Sequence, residues 1–226
     1  MNRDLGREEM IGTTGGADAP IPDAGAEVDE VDKARSDQYA LLASLLLRAP
    51  DADFLARLSG LQGTATPLGL AHIALGEAAA AASADAVKRE YSKLFIGVGR
   101  GELLPYASYY LTGFLNERPL ARLRGDMNRL GLERADGHNE PEDHLGTLCE
   151  IMSGLAGDHF ETSADDEAAF FARHIEPWAG RFFADLEKAK AATFYRAVGA
   201  VGRMFIDIEA EGFAMETRQS ETRQSA

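Results

Sequence analysis

The sequence predicts an all-α protein, a single helical-bundle domain of about nine helices with disordered N- and C-terminal tails. Three observations support this fold class. Apolar residues recur at helical spacing through the middle of the chain, glycine and proline interrupt the pattern at short intervals, and strand-like alternation is nearly absent. A chain of 226 residues can bury one sizeable core. We therefore place the helical domain at residues 36–212.

The two ends of the chain differ from this domain in composition. Residues 1–35 contain two prolines, several glycines and an acidic stretch but few large apolar residues, which predicts a disordered acidic arm. Residues 213–226 contain Glu-Thr-Arg-Gln-Ser twice in succession. A polar duplication of this kind predicts a disordered tail.

Capping residues and apolar stripes define the individual helices. Pro50 stops the first helix, and we expect Tyr106–Thr112, after a glycine-rich loop, to be extended or irregular. Pro141 is expected to open the helix that contains Leu145, Leu148, Met152 and Leu155. The predicted N-cap residues are Ser36, Thr66 (followed by Pro67), Ser83 and Ser163, the last in a capping-box arrangement with Asp166.

Composition and charge exclude several classes of function. No run of eighteen apolar residues occurs, so a membrane-spanning helix is not expected. The formal net charge of −14 disfavours nucleic acid as a partner and favours a cationic peptide. Cys149 is a single cysteine and the first residues lack a secretory signal, so we expect a reducing, cytoplasmic location. The five histidines and one cysteine are too dispersed for a structural zinc site.

The most concentrated polar cluster lies at residues 140–144. Proline and acids are common at any helix start, so one interpretation is purely structural. In the other, His144 lies at the edge of an apolar helix face beside three acids, and this acidic rim suits a peptide with arginines followed by a hydrophobic run. A hydrolase with Asp143 and His144 as acid–base pair is a further alternative, although it lacks a nucleophile or metal partner.

Two aromatic segments and a glycine loop precede this cluster. Tyr91 and Phe95 share one helix face, which is typical of core residues. The tyrosines after Pro105 either pack in the core or line a groove with their hydroxyls in water. The segment Gly97–Gly101 has glycine spacing similar to a phosphate loop, but it follows a helix and lacks the Lys-Ser/Thr pair, so a helix–helix connection is favoured.

Together these segments resemble the TorD/DmsD family of redox-enzyme maturation chaperones, which are related to nitrate reductase assembly chaperones. The resemblance covers about Asp37 to Gly212. Its most specific part is the Glu-Pro-x-Asp-His element, which matches at every fixed position. The other matching elements are Tyr91-x-x-Leu94-Phe95-x-Gly97, Pro105-Tyr106-x-Ser108-x-Tyr110 and His174-x-x-Pro177-Trp178.

The resemblance implies a cytoplasmic chaperone rather than an enzyme. Family members bind the twin-arginine leader of a molybdenum or tungsten oxidoreductase, such as a formate dehydrogenase or a sulfoxide or amine-oxide reductase, and hold it until the cofactor is inserted. Some also contact the body of this client. The resemblance implies no resident cofactor or metal, although guanine nucleotide binding is a family property. A chaperone for a non-exported nitrate-reductase-type subunit is the first alternative.

The resemblance also assigns residues. The leader-binding element would be Glu140, Pro141, Glu142, Asp143 and His144. The groove would be shaped or supported by Tyr91, Phe95, Pro105, Tyr106, Ser108 and Tyr110. We expect Asp143 and His144 to serve recognition more than stability, because one charge at a helix N-terminus contributes only about 0.3–1 kcal/mol.

Overall fold

The computed structural model describes residues 24–133, 140–157, 159–160 and 162–224. These residues form ten α-helices and no β-strand, which confirms the predicted all-α class and a single helical domain. The helix α1 packs mainly against α7, and α10 packs against α9 and α3. The helices are α1 (Ala24–Leu47), α2 (Ala52–Leu58), α3 (Pro67–Ala81), α4 (Ala84–Tyr91), α5 (Ala107–Thr112), α6 (Arg118–Arg129), α7 (Leu145–Ala156), α8 (Ala164–His174), α9 (Ala179–Lys188) and α10 (Phe194–Gln224).

The core is rich in aromatic side chains whose polar ends are all bonded. Trp178, Tyr39 and Tyr195 are the largest fully buried residues that carry a donor. The Trp178 indole donates to the His174 carbonyl at 2.7 Å, and the Tyr195 hydroxyl donates to the Leu45 carbonyl at 2.9 Å. The Tyr39 hydroxyl donates to a Glu209 carboxylate oxygen at 2.8 Å. Each bond avoids the cost of leaving a buried donor without an acceptor.

Helices run through both predicted domain boundaries, because α1 begins before residue 36 and α10 continues past residue 212. Residues 24–35 and 213–224, predicted to be disordered, are helical. The guanidinium of Arg35 holds α1 in place through Glu167 at 2.6 Å and Glu209 at 2.8 Å. Composition alone underestimates how far a helix extends at its ends, because adding residues to an existing helix costs far less free energy than nucleating a new one. The predicted disorder of residues 1–23 and 225–226 lies outside the described residues and stays a prediction.

The predicted N-caps are confirmed in three of four cases. Thr66, Ser83 and Ser163 accept bonds from the first turns of α3, α4 and α8, and the capping box of Ser163 with Asp166 is complete. Ser36 is different, because it lies inside α1 and donates to the Ser153 carbonyl of α7 at 2.8 Å. A local sequence rule can identify a serine as a potential cap, but it contains no information about a carbonyl acceptor on another helix.

The connection after α4 is tightly folded. The helix passes into a π-helical turn over Ser92–Ile96 that ends at Gly97, where φ is +64°. A Cβ atom on Gly101 would lie 2.5–2.7 Å from backbone atoms of Leu94 and Phe95, so only glycine allows this close approach. The Glu102 carboxylate then accepts bonds from two backbone N–H groups of the loop between α9 and α10. The glycines thus serve chain packing in a connection between helices.

None of the described helices is both long and apolar enough to cross a membrane.

Candidate functional site

Two of the sequence motifs pair with each other through their backbones. The Ala107 N–H donates to the Asp143 carbonyl at 2.9 Å, and the Leu145 N–H donates to the Pro105 carbonyl at 2.8 Å. Tyr106 and His144 face each other in this antiparallel bridge. We call the pairing of residues 105–108 with 143–145, with the side chains of Asp143 and His144, the α5–α7 link.

Asp143 caps α5 instead of pointing into solvent. Its side chain is 1% exposed, and Oδ2 accepts a bond from the Ser108 N–H at 2.8 Å. Oδ1 is buried and has no hydrogen-bond partner among the described residues. This capping explains why Ala107–Thr112 is a helix, where the sequence predicted an extended or irregular segment. The cap comes from 35 positions further along the chain, beyond the range of local patterns.

His144 is the N-cap of α7, so this helix begins at Leu145 and not at Pro141 as predicted. Its Nδ1 accepts a bond from the Gly146 N–H at 3.0 Å, which places the ring proton on Nε2. The side chain is buried and meets the Tyr106 ring edge-on at 5.1 Å. Burial lowers the pKa of His144 to about 4, so the ring is neutral at pH 7.

The remaining acids of the cluster have different surroundings. Glu142 is buried, and it accepts two hydrogen bonds from the Arg124 guanidinium, at 2.8 and 3.1 Å. Glu140 is exposed, and its carboxylate accepts a bond from the Tyr106 hydroxyl. The predicted acidic rim therefore has one carboxylate at the surface rather than three. The stability contribution of about 0.3–1 kcal/mol expected for Asp143 holds for an exposed charge at a helix terminus. It does not apply here, because Asp143 is buried and caps α5.

Among the predicted groove residues, Tyr91 and Phe95 pack on the core. Their rings meet edge-on at 5.0 Å, and the Tyr91 hydroxyl donates to the Leu46 carbonyl at 3.1 Å. Burial, together with the charge of Glu140, raises the pKa of Tyr91 to about 12. Pro105 and Ser108 are also buried. These residues lie on the core side of the α5–α7 link.

Tyr110 connects the site to the His-x-x-Pro-Trp segment. Its half-buried ring lies 5.3 Å from the Trp178 ring and 5.8 Å from that of Phe182. Its hydroxyl donates to Asp185 at 3.1 Å. Burial is the main cause that raises the pKa of Tyr110, followed by the charge of Asp185. Tyr110 therefore packs against the core through its ring and remains partly exposed. It combines the two predicted roles of the tyrosines, core packing and exposure at a surface.

An exposed apolar surface at the end of α5 was not predicted. Phe114 is 69% exposed, and Leu111 and Leu115 are each 43% exposed, at the end of α5 and in the loop that follows. Gly113, with φ of +85°, ends α5 and turns the chain so that these side chains lie outside the core. The sequence signal is an apolar pair between a glycine and a helix-opening proline. We define the α5 surface as Tyr106, Tyr109, Leu111, Phe114, Leu115 and Glu140.

Two arginines, also missed by sequence reasoning, stack on the tyrosines of α5. The Arg100 guanidinium lies 4.9 Å from the centre of the Tyr109 ring and donates to the Tyr109 hydroxyl. The Arg181 guanidinium lies 5.2 Å from the centre of the Tyr110 ring and donates to the Tyr110 carbonyl. Both arginines are exposed. Nothing in their spacing along the chain connects them, because they come from the glycine loop and from α9.

Two cavities lie away from this site. One of about 450 Å³ is lined by α1, α3 and α10, including Arg35, Gln38 and Phe213, and one of about 490 Å³ lies between α1 and the segment from α7 to α8. None of the predicted site residues lines either cavity. In the part of the chain that the structure describes, no three His, Cys, Asp or Glu side chains are placed to hold a metal ion.

The family of the chain follows from its match to a family model. The model of the nitrate reductase delta subunit family matches residues 61–184, which is more than half of the chain, so the protein belongs to this family. The match spans the elements on which the resemblance to the TorD/DmsD chaperones was based, and that resemblance is confirmed.

Similar proteins of known name are chaperones, not enzymes. The chaperone protein TorD of Vibrio cholerae is 29% identical over 126 residues, which cover 52% of this chain and 57% of that protein. The Tat proofreading chaperone DmsD of Salmonella paratyphi A is 30% identical over 127 residues, covering 54% of this chain and 59% of that protein. The chain thus spans somewhat over half the length of these curated relatives.

A solved structure shares the fold. The crystal structure described as a redox enzyme maturation protein from Archaeoglobus fulgidus matches with a TM-score of 0.51 and 19% sequence identity. The match covers 76% of this chain and 93% of that one.

Proposed function

We propose that the protein is a cytoplasmic chaperone that binds the twin-arginine leader of a molybdenum or tungsten oxidoreductase and holds the precursor until its cofactor is inserted. Clients of the formate dehydrogenase or the sulfoxide or amine-oxide reductase type fit this role. Family membership and the names of the relatives support a maturation chaperone. The observation that carries the proposal is that α5 has an exposed carboxylate, Glu140, bonded to Tyr106 where the helix begins and exposed apolar side chains where it ends.

Glu140 supplies the contact for the leader arginines. A carboxylate accepts the planar guanidinium fork through two parallel bonds, which a lysine cannot reproduce. The Tyr106 hydroxyl already bonds this carboxylate and so limits its orientations. The net charge of −14 attracts a cationic peptide over a longer range and increases its association rate.

The apolar stretch of the leader would cover Leu111, Phe114 and Leu115. Exposed apolar clusters of this kind mark interaction sites in soluble proteins. Each Å² of apolar surface removed from water contributes about 25 cal/mol, so a few such side chains supply a large part of an ordinary peptide affinity.

Asp143 and His144 act as positioning residues in this proposal. Asp143 bonds the first turn of α5, and His144 caps α7 and packs against the Tyr106 ring. Together they fix Tyr106, which bonds Glu140. A hydrolase has less support, because Asp143 and His144 each bond a backbone N–H and both are buried.

The test is calorimetric titration of a twin-arginine leader peptide at 0.1 M and 1 M salt. Glu140→Gln keeps an acceptor for Tyr106 but removes the charge, and we expect it to weaken binding about three- to tenfold at 0.1 M salt. The difference should shrink at 1 M salt, where the Debye length is about 3 Å. Glu77→Gln, an exposed acid on α3, is the matched control. Equal affinities for wild type and Glu140→Gln at both salt levels would rule out Glu140 as a contact.

A second candidate is an assembly chaperone for a nitrate-reductase-type subunit that is not exported. The description of the matching family favours it. Identification of the client by pull-down separates the two, since only the first client carries a twin-arginine leader.

A further inference from the structure

We propose that the cavity between α1, α3 and α10 is a second binding site, which takes a small uncharged molecule with an apolar body and a carbonyl oxygen. We call it the α10 cavity. No residue of the α5 surface lines it, so this inference does not depend on the proposed function. Two of its three walls, α1 and α10, lie outside the residues 61–184 that the family model matches. The match to the family therefore says nothing about what this cavity binds.

The α10 cavity is large enough for a ligand and has mostly apolar walls. Its volume of about 450 Å³ is typical of a site for a small molecule. Phe205, Ile208 and Phe213 of α10 contribute apolar side chains at helical spacing, and Leu68 and Val31 add others from α3 and α1. Ile208 is 48% exposed and Val31 is 59% exposed, so a ligand in the cavity would remove apolar surface from water.

Gly212 leaves the cavity open on the side of α10. The residue lines the cavity, and a Cβ atom added to it would meet no heavy atom within 4 Å. Glycine inside a helix costs stability relative to alanine, and here no close approach of another segment requires it. A longer side chain therefore has room at this position and would occupy part of the cavity.

The polar group that selects the ligand is the side-chain amide of Gln38. This side chain is 9% exposed and lines the cavity together with His72. Its Oε1 accepts a hydrogen bond from Nε2 of His72 at 2.7 Å, because an amide oxygen can only accept. Its Nε2 is buried and has no hydrogen-bond partner among the described residues. A carbonyl oxygen of the ligand would supply the missing acceptor and remove the cost of a buried, unbonded N–H group.

The charges around the cavity favour an uncharged ligand. One guanidinium, that of Arg35, lines the cavity together with three carboxylates, those of Asp32, Glu209 and Glu216. Arg35 is already bonded to two of these carboxylates, at 3.0 and 2.8 Å. Burial lowers the pKa of His72, so its ring adds no charge at pH 7. A ligand carboxylate would therefore be repelled, whereas an ammonium has no acceptor to offer the amide N–H.

The experiment compares three naphthalenes of similar shape that differ in one substituent. The probe 2-acetylnaphthalene has a carbonyl, 2-ethylnaphthalene has none, and 2-naphthoate is an anion. The full chain is titrated into each dilute probe, and binding is measured by proton NMR. We expect the wild-type chain to bind the ketone about three- to tenfold more tightly than the hydrocarbon, and the anion about tenfold more weakly than the ketone or less.

Two variants separate the cavity from its polar group. Gly212→Leu should fill part of the cavity and weaken binding of the ketone and the hydrocarbon by about tenfold or more, with the thermal midpoint retained because leucine favours a helix. Gly125→Leu changes another helical glycine whose added Cβ atom would meet no heavy atom within 4 Å, and this control should bind like the wild-type chain. Gln38→Met keeps the length of the side chain but has no N–H group, so it should bind the hydrocarbon and lose the preference for the ketone.

Five results would overturn the inference. If no probe binds the wild-type chain, the cavity is not a site for such molecules. Unchanged binding by a folded Gly212→Leu variant places the probes elsewhere. A ketone that binds no better than the hydrocarbon or the anion rules out the proposed ligand class. A preference for the ketone that survives in Gln38→Met rules out Gln38, and this comparison decides alone if Gly212→Leu does not fold. If the chain is a dimer that Ile208→Lys dissociates, a second copy covers the cavity.

Discussion

The α5–α7 link and the Tyr106–Glu140 end of the α5 surface come from the same two sequence motifs, but they place their polar groups in opposite environments. In the link, Asp143 and His144 are buried and bond backbone N–H groups. On the surface, Glu140 is exposed and bonds the Tyr106 hydroxyl, which leaves most of its hydrogen-bonding capacity free. One short motif can therefore supply both the buried residues that hold a site together and an exposed group that is available to a ligand. Substitutions in the two regions should therefore have different readouts, stability for the link and affinity for the surface.

The largest effect is expected from Asp143→Ala in the link. It leaves the buried Ser108 N–H without an acceptor, which costs about 2–3 kcal/mol of unfolding free energy and lowers the thermal midpoint by roughly 5–10 °C. Asp143→Asn keeps an acceptor oxygen at the same place and should cost about 1 kcal/mol or less. The measurement is thermal unfolding of both variants. Equal midpoints for Ala and Asn would show that the hydrogen bond to α5 does not matter.

The pH dependence of stability gives the next largest effect. The pKa of His144 is about 4 in the folded protein and 6.5 in an unfolded chain, so the unfolded state takes up a proton first as the pH falls. Stability is therefore lost progressively from about pH 6.5 down to pH 4. Between pH 7 and pH 5 this amounts to about 2 kcal/mol.

His144→Asn is the variant that isolates this contribution. An asparagine keeps an N-cap acceptor for α7 but does not titrate. Urea unfolding at pH 7 and pH 5 should show a smaller pH-dependent loss in the variant, by the amount given above. The other histidines and the carboxylates titrate in both proteins and cancel in the difference. The same pH-dependent loss in both would mean that His144 is protonated in the folded state.

A smaller effect, on affinity alone, is expected on the surface. Phe114→Ser removes the most exposed apolar side chain of the α5 surface and should weaken leader binding about tenfold, with the thermal midpoint unchanged. Leu70→Ser changes an apolar side chain of α3 that is 58% exposed and serves as the control. If Phe114→Ser and Leu70→Ser bind the leader equally well, the apolar contact lies elsewhere. If Phe114→Ser unfolds the protein, the loop after α5 contributes to the stability of the fold rather than to binding alone.

Much of the helical framework was predictable because it depends on neighbours in sequence. The stripe of Leu145, Leu148 and Met152 is fully buried in α7, and the caps at Thr66 and Ser163 form as expected. Helical periodicity and capping act within a few residues, so a sequence contains all the information that they need.

The site was predictable only as a set of motifs. Resemblance brought the Pro-Tyr and Glu-Pro-x-Asp-His elements together, and the structure pairs them through backbone bonds. The resemblance did not distinguish the exposed Glu140 from the buried Asp143. Burial at neighbouring positions depends on which other segment covers each side chain. Arg100 and Arg181 were missed for the same reason, since their common partners are adjacent tyrosines on a helix that neither belongs to.

The helical class, most helix starts and the acidic character of the protein follow from the sequence alone. Three features depend on tertiary contacts: α5 is a helix, α1 extends back through residues 24–35, and Asp143 is a buried cap of α5. In each of these cases a charged group bonds a partner far away in sequence: Asp143 with Ser108, and Arg35 with Glu167 and Glu209. A hydrogen bond between distant residues forms only after the chain has folded, and so no local pattern encodes it.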